Sequence, residues 1–158
     1  MVRSCAGYSG VDTLPQPGGQ GRPFLLVAAH GPRAADLVGR FGDGWSTYGG
    51  ASATGLAPEE FWQEVARQSV MVSEACDRHE RDAGTLRRSL LLGYGSVQPL
   101  TSVDDYVACA ERAVTAGFDE LVVYWPEGER GSRFWSDQDV HAVGVRRVRS
   151  AFSTPGRA

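Results

Sequence analysis

The chain contains no lysine, no isoleucine and no asparagine, so all sixteen of its basic residues are arginine. The missing amino acids share AT-rich codons. Their joint absence is the mark of a GC-rich bacterial genome, and the abundance of arginine carries no functional message. Cysteine is scarce: Cys5, Cys76 and Cys109 are odd in number and far apart, with no CxxC pair and no Cys/His cluster. That excludes a disulfide framework and a structural zinc site, and it predicts reduced thiols in a cytoplasmic protein. No run approaches 18 apolar residues, and Met1 to Gly10 holds one arginine and no apolar stretch. Neither a membrane span nor a secretory leader is expected. The net charge of −3 is too small to mark a nucleic-acid surface. A Walker loop, a nucleophile elbow and zinc-ligand spacings are all missing.

What is present suits one globular unit. At 158 residues, 42% hydrophobic and 22% charged, the chain is long enough to bury a core without staples. Residues 1–22 hold five Gly and two Pro with little apolar periodicity, and read as a loop or disordered N-terminal segment. Residues 23–152 form the folded region, and 153–158 a C-terminal tail. Phe24 to Ala29 is a continuous apolar run between Pro and Gly, the pattern of a parallel strand buried on both faces. Pro32 to Phe41 spaces Ala34, Leu37, Val38 and Phe41 as the inner stripe of a helix. A short strand around Asp43 to Ser46 precedes a Gly/Ser/Thr loop. Pro58, Glu59 and Glu60 open a helix to about His79, with Phe61, Val65, Val72 and Cys76 on one stripe. Arg88 to Gly93 is a third strand. Ser102 caps a helix with Val103, Tyr106, Val107, Ala110, Ala113 and Val114 inward, and Gly117 ends it. Leu121 to Tyr124 is a fourth strand, and a last helix from about Asp139 to Phe152 turns Val140, Val143, Val148 and Phe152 inward.

Alternating strands and helices predict an α/β fold with a parallel sheet. Four such units are half of a TIM (β/α)8 barrel, which takes about 250 residues. Ligands of parallel α/β folds sit at the carboxyl ends of the strands, so the residues after each strand are the candidates. After the first strand stands Ala28-Ala29-His30-Gly31-Pro32-Arg33. Small residues and a glycine before a helix let a ligand approach the backbone and offer an anion the positive helix end. The same residues also suit a plain tight turn. After the second strand, Trp45, Ser46, Thr47 and Tyr48 precede Gly49 and Gly50; the indole serves either a ligand or the core. Gly93-Tyr94-Gly95 and Tyr124-Trp125 end the third and fourth strands, and such ends suit a flat, apolar ligand. Cys76 and Cys109 read as core thiols, Asp104 and Asp105 as helix N-terminal charge, and Arg87, Arg88 and Arg146, Arg147 and Arg149 as solvated residues.

The stretch from Pro23 to Gly50 resembles the second half of the bacterial luciferase-like flavin-dependent oxidoreductases. A strand ending in small residues, a Gly/Pro/Arg turn, a helix and an Asp-Gly-Trp-Asn-like strand recur there. Arg88 to Gly93 and Gly117 to Tyr124 are similar to that family's following strands. The resemblance spans about residues 12 to 150. It implies the C-terminal half of a TIM barrel that binds FMN or the deazaflavin F420, with activity as a monooxygenase or an F420-dependent reductase or dehydrogenase on a small-molecule substrate. The cofactor-binding residues it implies are Ala28, Ala29, His30 and Gly31 in the first turn, and Trp45, Ser46 and Thr47 at the next strand end. His30 stands where many relatives have Gly. The family's first four units have no counterpart, so the resemblance implies a truncated member, a half-barrel that closes as a homodimer, or one that pairs with a separate N-terminal half. The alternative is a non-catalytic flavin-binding or half-barrel assembly module. The catalytic residues are not specified, and no metal is expected.

Overall fold

A computed structural model describes residues 22–125 and 137–152. All but the last residue of the expected N-terminal loop, the expected tail and Cys5 lie outside these residues. The order of elements is β1 (Leu26–Ala28), α1 (Pro32–Phe41), β2 (Gly44–Thr47), α2 (Pro58–Arg78), β3 (Arg87–Leu91), α3 (Val103–Thr115), β4 (Glu120–Val122) and α4 (Gln138–Phe152). Short 3-10 turns at Ala53–Gly55 and Ala83–Thr85 lead out of the β2 loop and into β3.

The helix starts follow from local chemistry. Pro32 and Pro58 occupy first-turn positions of α1 and α2, where no N–H is needed. The Glu60 carboxylate accepts from the Ala57 N–H at 2.8 Å, satisfying one of the free donors that every helix start leaves. Ser102 caps α3 by accepting from the Asp105 N–H at 3.1 Å. At its other end Gly117, with φ of +82°, takes the left-handed turn that ends α3.

The four strands form one parallel sheet in the order β1-β2-β3-β4. Parallel strands joined through helices take right-handed crossovers, and an order that never reverses lays each connecting helix on the same side. The register agrees. Val27, Trp45 and Arg88 are paired across the sheet, as are Thr47, Leu90 and Leu121, and these side chains turn toward the helices. Trp45, Leu90, Val38, Val65 and Val72 are fully buried in this layer. Burying a side chain such as Leu90 stabilises the fold by about 1.5–3 kcal/mol.

The opposite face carries Leu26, Gly44 and Arg87 in one row and Ala28, Ser46, Ser89 and Glu120 in the next. Here, among the described residues, no helix covers the sheet. Leu26 and Val122 are exposed at 47% and 41%. Arg87 and Glu120 pair at 2.9 Å on this face, and the Ser89 hydroxyl also donates to Glu120. The expectation that the first strand is buried on both faces therefore fails: β1 is covered on the helix side only, and Phe24, Leu25 and Leu26 reach solvent.

Four further expectations are corrected. In α1 the packed residues are Ala35, Val38 and Gly39, whereas Leu37 and Phe41 are about half exposed. Gly39 sets this choice, because it brings α1 against the Ala75 carbonyl of α2 with no room for a Cβ. In α3 Val114 is exposed, and in α4 only Gly144 is buried, with Phe152 exposed. Arg88, expected in solvent, instead crosses to α2 and donates to the Ser69 and Ser73 hydroxyls at 2.6 and 2.8 Å. Among the described residues no helix is long and apolar enough to cross a membrane.

Candidate functional site

The carboxyl ends of β1, β2 and β3 bring three aromatic rings together. His30 follows β1, Tyr48 follows β2 and Tyr94 follows β3. The His30 and Tyr48 ring centroids are 4.6 Å apart with near-perpendicular planes, and those of Tyr48 and Tyr94 are 5.5 Å apart in the same arrangement. Edge-to-face pairs of this kind are favourable because a ring's positive edge meets the negative face of its neighbour. At the end of β4 the Tyr124 ring lies against Gly93, whose φ of +92° favours glycine. Below Tyr48 and Tyr94 the space bounded by Phe61, Leu92, Gly93 and Gly95 is packed too closely to admit even a water molecule. Any flat ligand therefore lies against the rings, not beneath them.

His30 is the chemically unusual member. Its ring is half-buried, and its Nε2 atom is fully buried without a hydrogen-bond partner among the described residues. A buried polar nitrogen left unpaired costs on the order of 1–3 kcal/mol, so it marks a place where a ligand atom has something to gain. Burial also pushes the imidazole below its ordinary pKa, which keeps the ring neutral near pH 7. A neutral imidazole offers one donor and one acceptor. Beneath the ring sits Gly50, with φ of +87° and a position where a Cβ would come within 3.2 Å of the His30 Cβ.

The turn that carries Tyr48 and Gly50 is held from below. The Thr47 hydroxyl accepts from the Gly49 N–H at 3.0 Å and donates to Gln68 Oε1 at 2.6 Å. The Gln68 amide in turn donates to the Gly49 carbonyl at 3.1 Å and to Glu64 at 2.7 Å. Glu64 is clamped by Arg67, whose guanidinium holds the carboxyl below its usual range. Gln68 thus ties α2 to the β2 turn. Its only trace in the sequence is a polar residue on the apolar stripe, between Val65 and Val72.

The sequence-derived candidates divide into two groups. Ala28 faces the bare side of the sheet beside Ser46, and Ala29, His30 and Gly31 form the turn into α1. Ala29 is fixed on both sides: its N–H donates to the Ser46 carbonyl at 3.2 Å, and its carbonyl accepts from the Trp45 indole at 2.9 Å. Trp45 and Thr47 are turned away from this end. Trp45 is fully buried against Phe118, and Thr47 is engaged with Gln68. Both support the turns without reaching the surface. Tyr48 and Tyr94 are the ring-bearing neighbours that the family pattern did not single out.

Among the described residues no group of His, Cys, Asp and Glu is placed to hold a metal ion. No protein-family model matches the chain. No curated protein matches it significantly either.

Proposed function

We propose that this chain is the C-terminal half of a luciferase-like (β/α)8 barrel, and that it binds a flat cofactor, FMN or F420, across the carboxyl ends of its strands. The observation that carries this reading is the unpartnered, buried Nε2 of His30 within the row His30, Tyr48 and Tyr94. The residues fit such a group. Tyr48 and Tyr94 supply ring faces and edges, and the half-buried His30 ring, on turning to bring Nε2 out of its buried position, supplies one hydrogen bond to a polar edge. Gly31 leaves the first turn of α1 open, and the free N–H groups there favour an anionic tail. Ala28 and Ser46 add small surface at the inner side. The cofactor, when bound, supplies the redox chemistry; the protein's part is to orient it and keep water from one face.

The strand order supports the barrel reading as well. A doubly wound sheet reverses its order and carries helices on both faces. This sheet advances in one direction, with one face bare. The second reading is a flavin-binding module without chemistry of its own. It is favoured by the composition of the row, in which a single imidazole stands with two phenols and no carboxylate joins them. Absorbance and fluorescence titration with FMN and with F420 tests binding. Saturable binding of one cofactor supports the proposal, and binding of neither refutes it for this chain. Oxidation of reduced FMN by oxygen, or hydride transfer between F420 and an added alcohol, faster with the protein than without it, separates the enzyme from the module.

A further inference from the structure

Among the described residues nothing pairs with the outer edge of β1 or of β4, and the inner face carries no helix. Exposed apolar side chains concentrate at those same two ends. On the first unit they are Phe24, Leu26 and Phe41, joined by Leu25 and Leu37; on the last they are Val122, Trp125 and Phe152. Between the ends, Val70, Tyr94 and Val114 are single and scattered. An apolar surface at both ends of a series, with little between, is the pattern of an unfinished layer.

We infer that two copies of this chain close on each other around a two-fold axis, β4 of each copy pairing with β1 of the other, to make an eight-stranded parallel barrel. The second copy is the occupant that the geometry favours. All four strands are parallel and advance in one order, so the strand that continues the sheet beyond β4 must be parallel, lead into a helix on the same side, and bear apolar groups at its free edge. β1 with α1 has all three properties. The same contact made twice removes both edges, as closure requires. Four and four strands give the eight whose interior side chains can just fill. The polar groups on the inner face do not oppose closure, because Arg87 already neutralises Glu120, and Ser89 is bonded to the same carboxylate. This rests on the half-barrel reading of the sheet and goes beyond the cofactor proposal, on which it does not depend.

Light scattering of the unmodified chain gives the first test, with twice 17.0 kDa expected. The second is disulfide formation as the chain refolds and assembles under an oxidant in a Cys5→Ser background, because Leu26 and Val122 face the barrel interior and an added cross-linker would not reach them after closure. Strands β1 and β4 of one copy are three strand spacings apart, roughly 14 Å, whereas across the inferred contact they are neighbours at about 4.8 Å. The double variant Leu26→Cys with Val122→Cys is expected to give a covalent dimer, and each single variant is not. A monomer, or an open polymer whose mass grows with concentration, overturns the inference. So does a dimer in which the double variant cross-links no better than the singles. Neither experiment contains cofactor, so its outcome is separate from that of the titration.

Discussion

Gly39→Ala sets two physical effects against each other. In an exposed helix interior, replacing glycine by alanine stabilises by about 1 kcal/mol through backbone entropy. At Gly39 the added Cβ would lie 2.6 Å from the Ala75 carbonyl oxygen and 2.7 Å from its carbon, both backbone atoms of α2. Neither can rotate away, so α1 and α2 must separate. Forcing one extra carbon into a close-packed contact costs about 1–3 kcal/mol, because interiors are as dense as organic crystals. The contact here is backbone to backbone, which places the cost at the upper end. The net expectation is destabilisation of about 1–2 kcal/mol, or a Tm lowered by about 2–8 °C for a chain of this size. Urea unfolding followed by circular dichroism measures it. Gly31→Ala is the control: its φ is −142° and a Cβ there meets nothing within 4 Å, so a change within about 0.5 kcal/mol is expected. A Gly39→Ala variant more stable than the parent would refute the close approach of α1 and α2. The consequence reaches the site, since α1 begins at the His30 turn.

Other expectations follow from the same contacts. Gln68→Leu keeps the side-chain volume but leaves the Thr47 hydroxyl and the Gly49 carbonyl without their buried partner; a loss of about 2–3 kcal/mol in urea unfolding is expected. For His30 the sign is fixed by burial. Its folded pKa lies below the unfolded value near 6.5, so as pH falls through 6.5 the unfolded chain gains a proton first and stability drops until the folded pKa is reached. His30→Gln is expected to flatten that part of the stability profile between pH 7 and pH 5 relative to the parent, and an unchanged slope would show that the ring is solvated. Burial pushes the Cys109 thiol up to about 11, and Cys76 is fully buried. Disulfide reagents are therefore expected to modify both only as fast as the chain unfolds, with Cys5 replaced to isolate them; fast labelling of the native protein would contradict their burial.

The order of elements was legible because Gly and Pro punctuate the chain and the apolar period changes cleanly between strand and helix. Pro32, Pro58, Ser102 and Gly117 each act locally, so their effect survives folding. Which flank of α1 packs was not legible. Periodicity weighs Leu37 and Phe41 heavily and gives glycine no weight, yet the closest interhelical approach is made by Gly39. Leu37 and Phe41 are left at an edge that an unbranched reading of the stripe places in the core. The same limit applies to Arg88: its neighbours in sequence are polar, and only the strand pairing reveals that its face is that of Trp45 and Val27. At the site, the turn around His30 could be found from its composition. The row with Tyr48 and Tyr94 depends on strand order, and the Gln68 clamp on a contact 19 residues away in the chain.

The central claim concerns one nitrogen atom. The chain has three histidines, of which His79 is bonded to Asp36, and His141 on α4 also has a buried ring nitrogen, Nδ1, without a partner among the described residues, so a His141→Gln background leaves the His30 ring to be told from that of His79. Nitrogen NMR of histidine-labelled protein, titrated with FMN and then with F420, reads the His30 ring directly. The account predicts that one cofactor shifts the His30 Nε2 resonance saturably and leaves the His79 signals in place. Identical His30 spectra with and without either cofactor would contradict it.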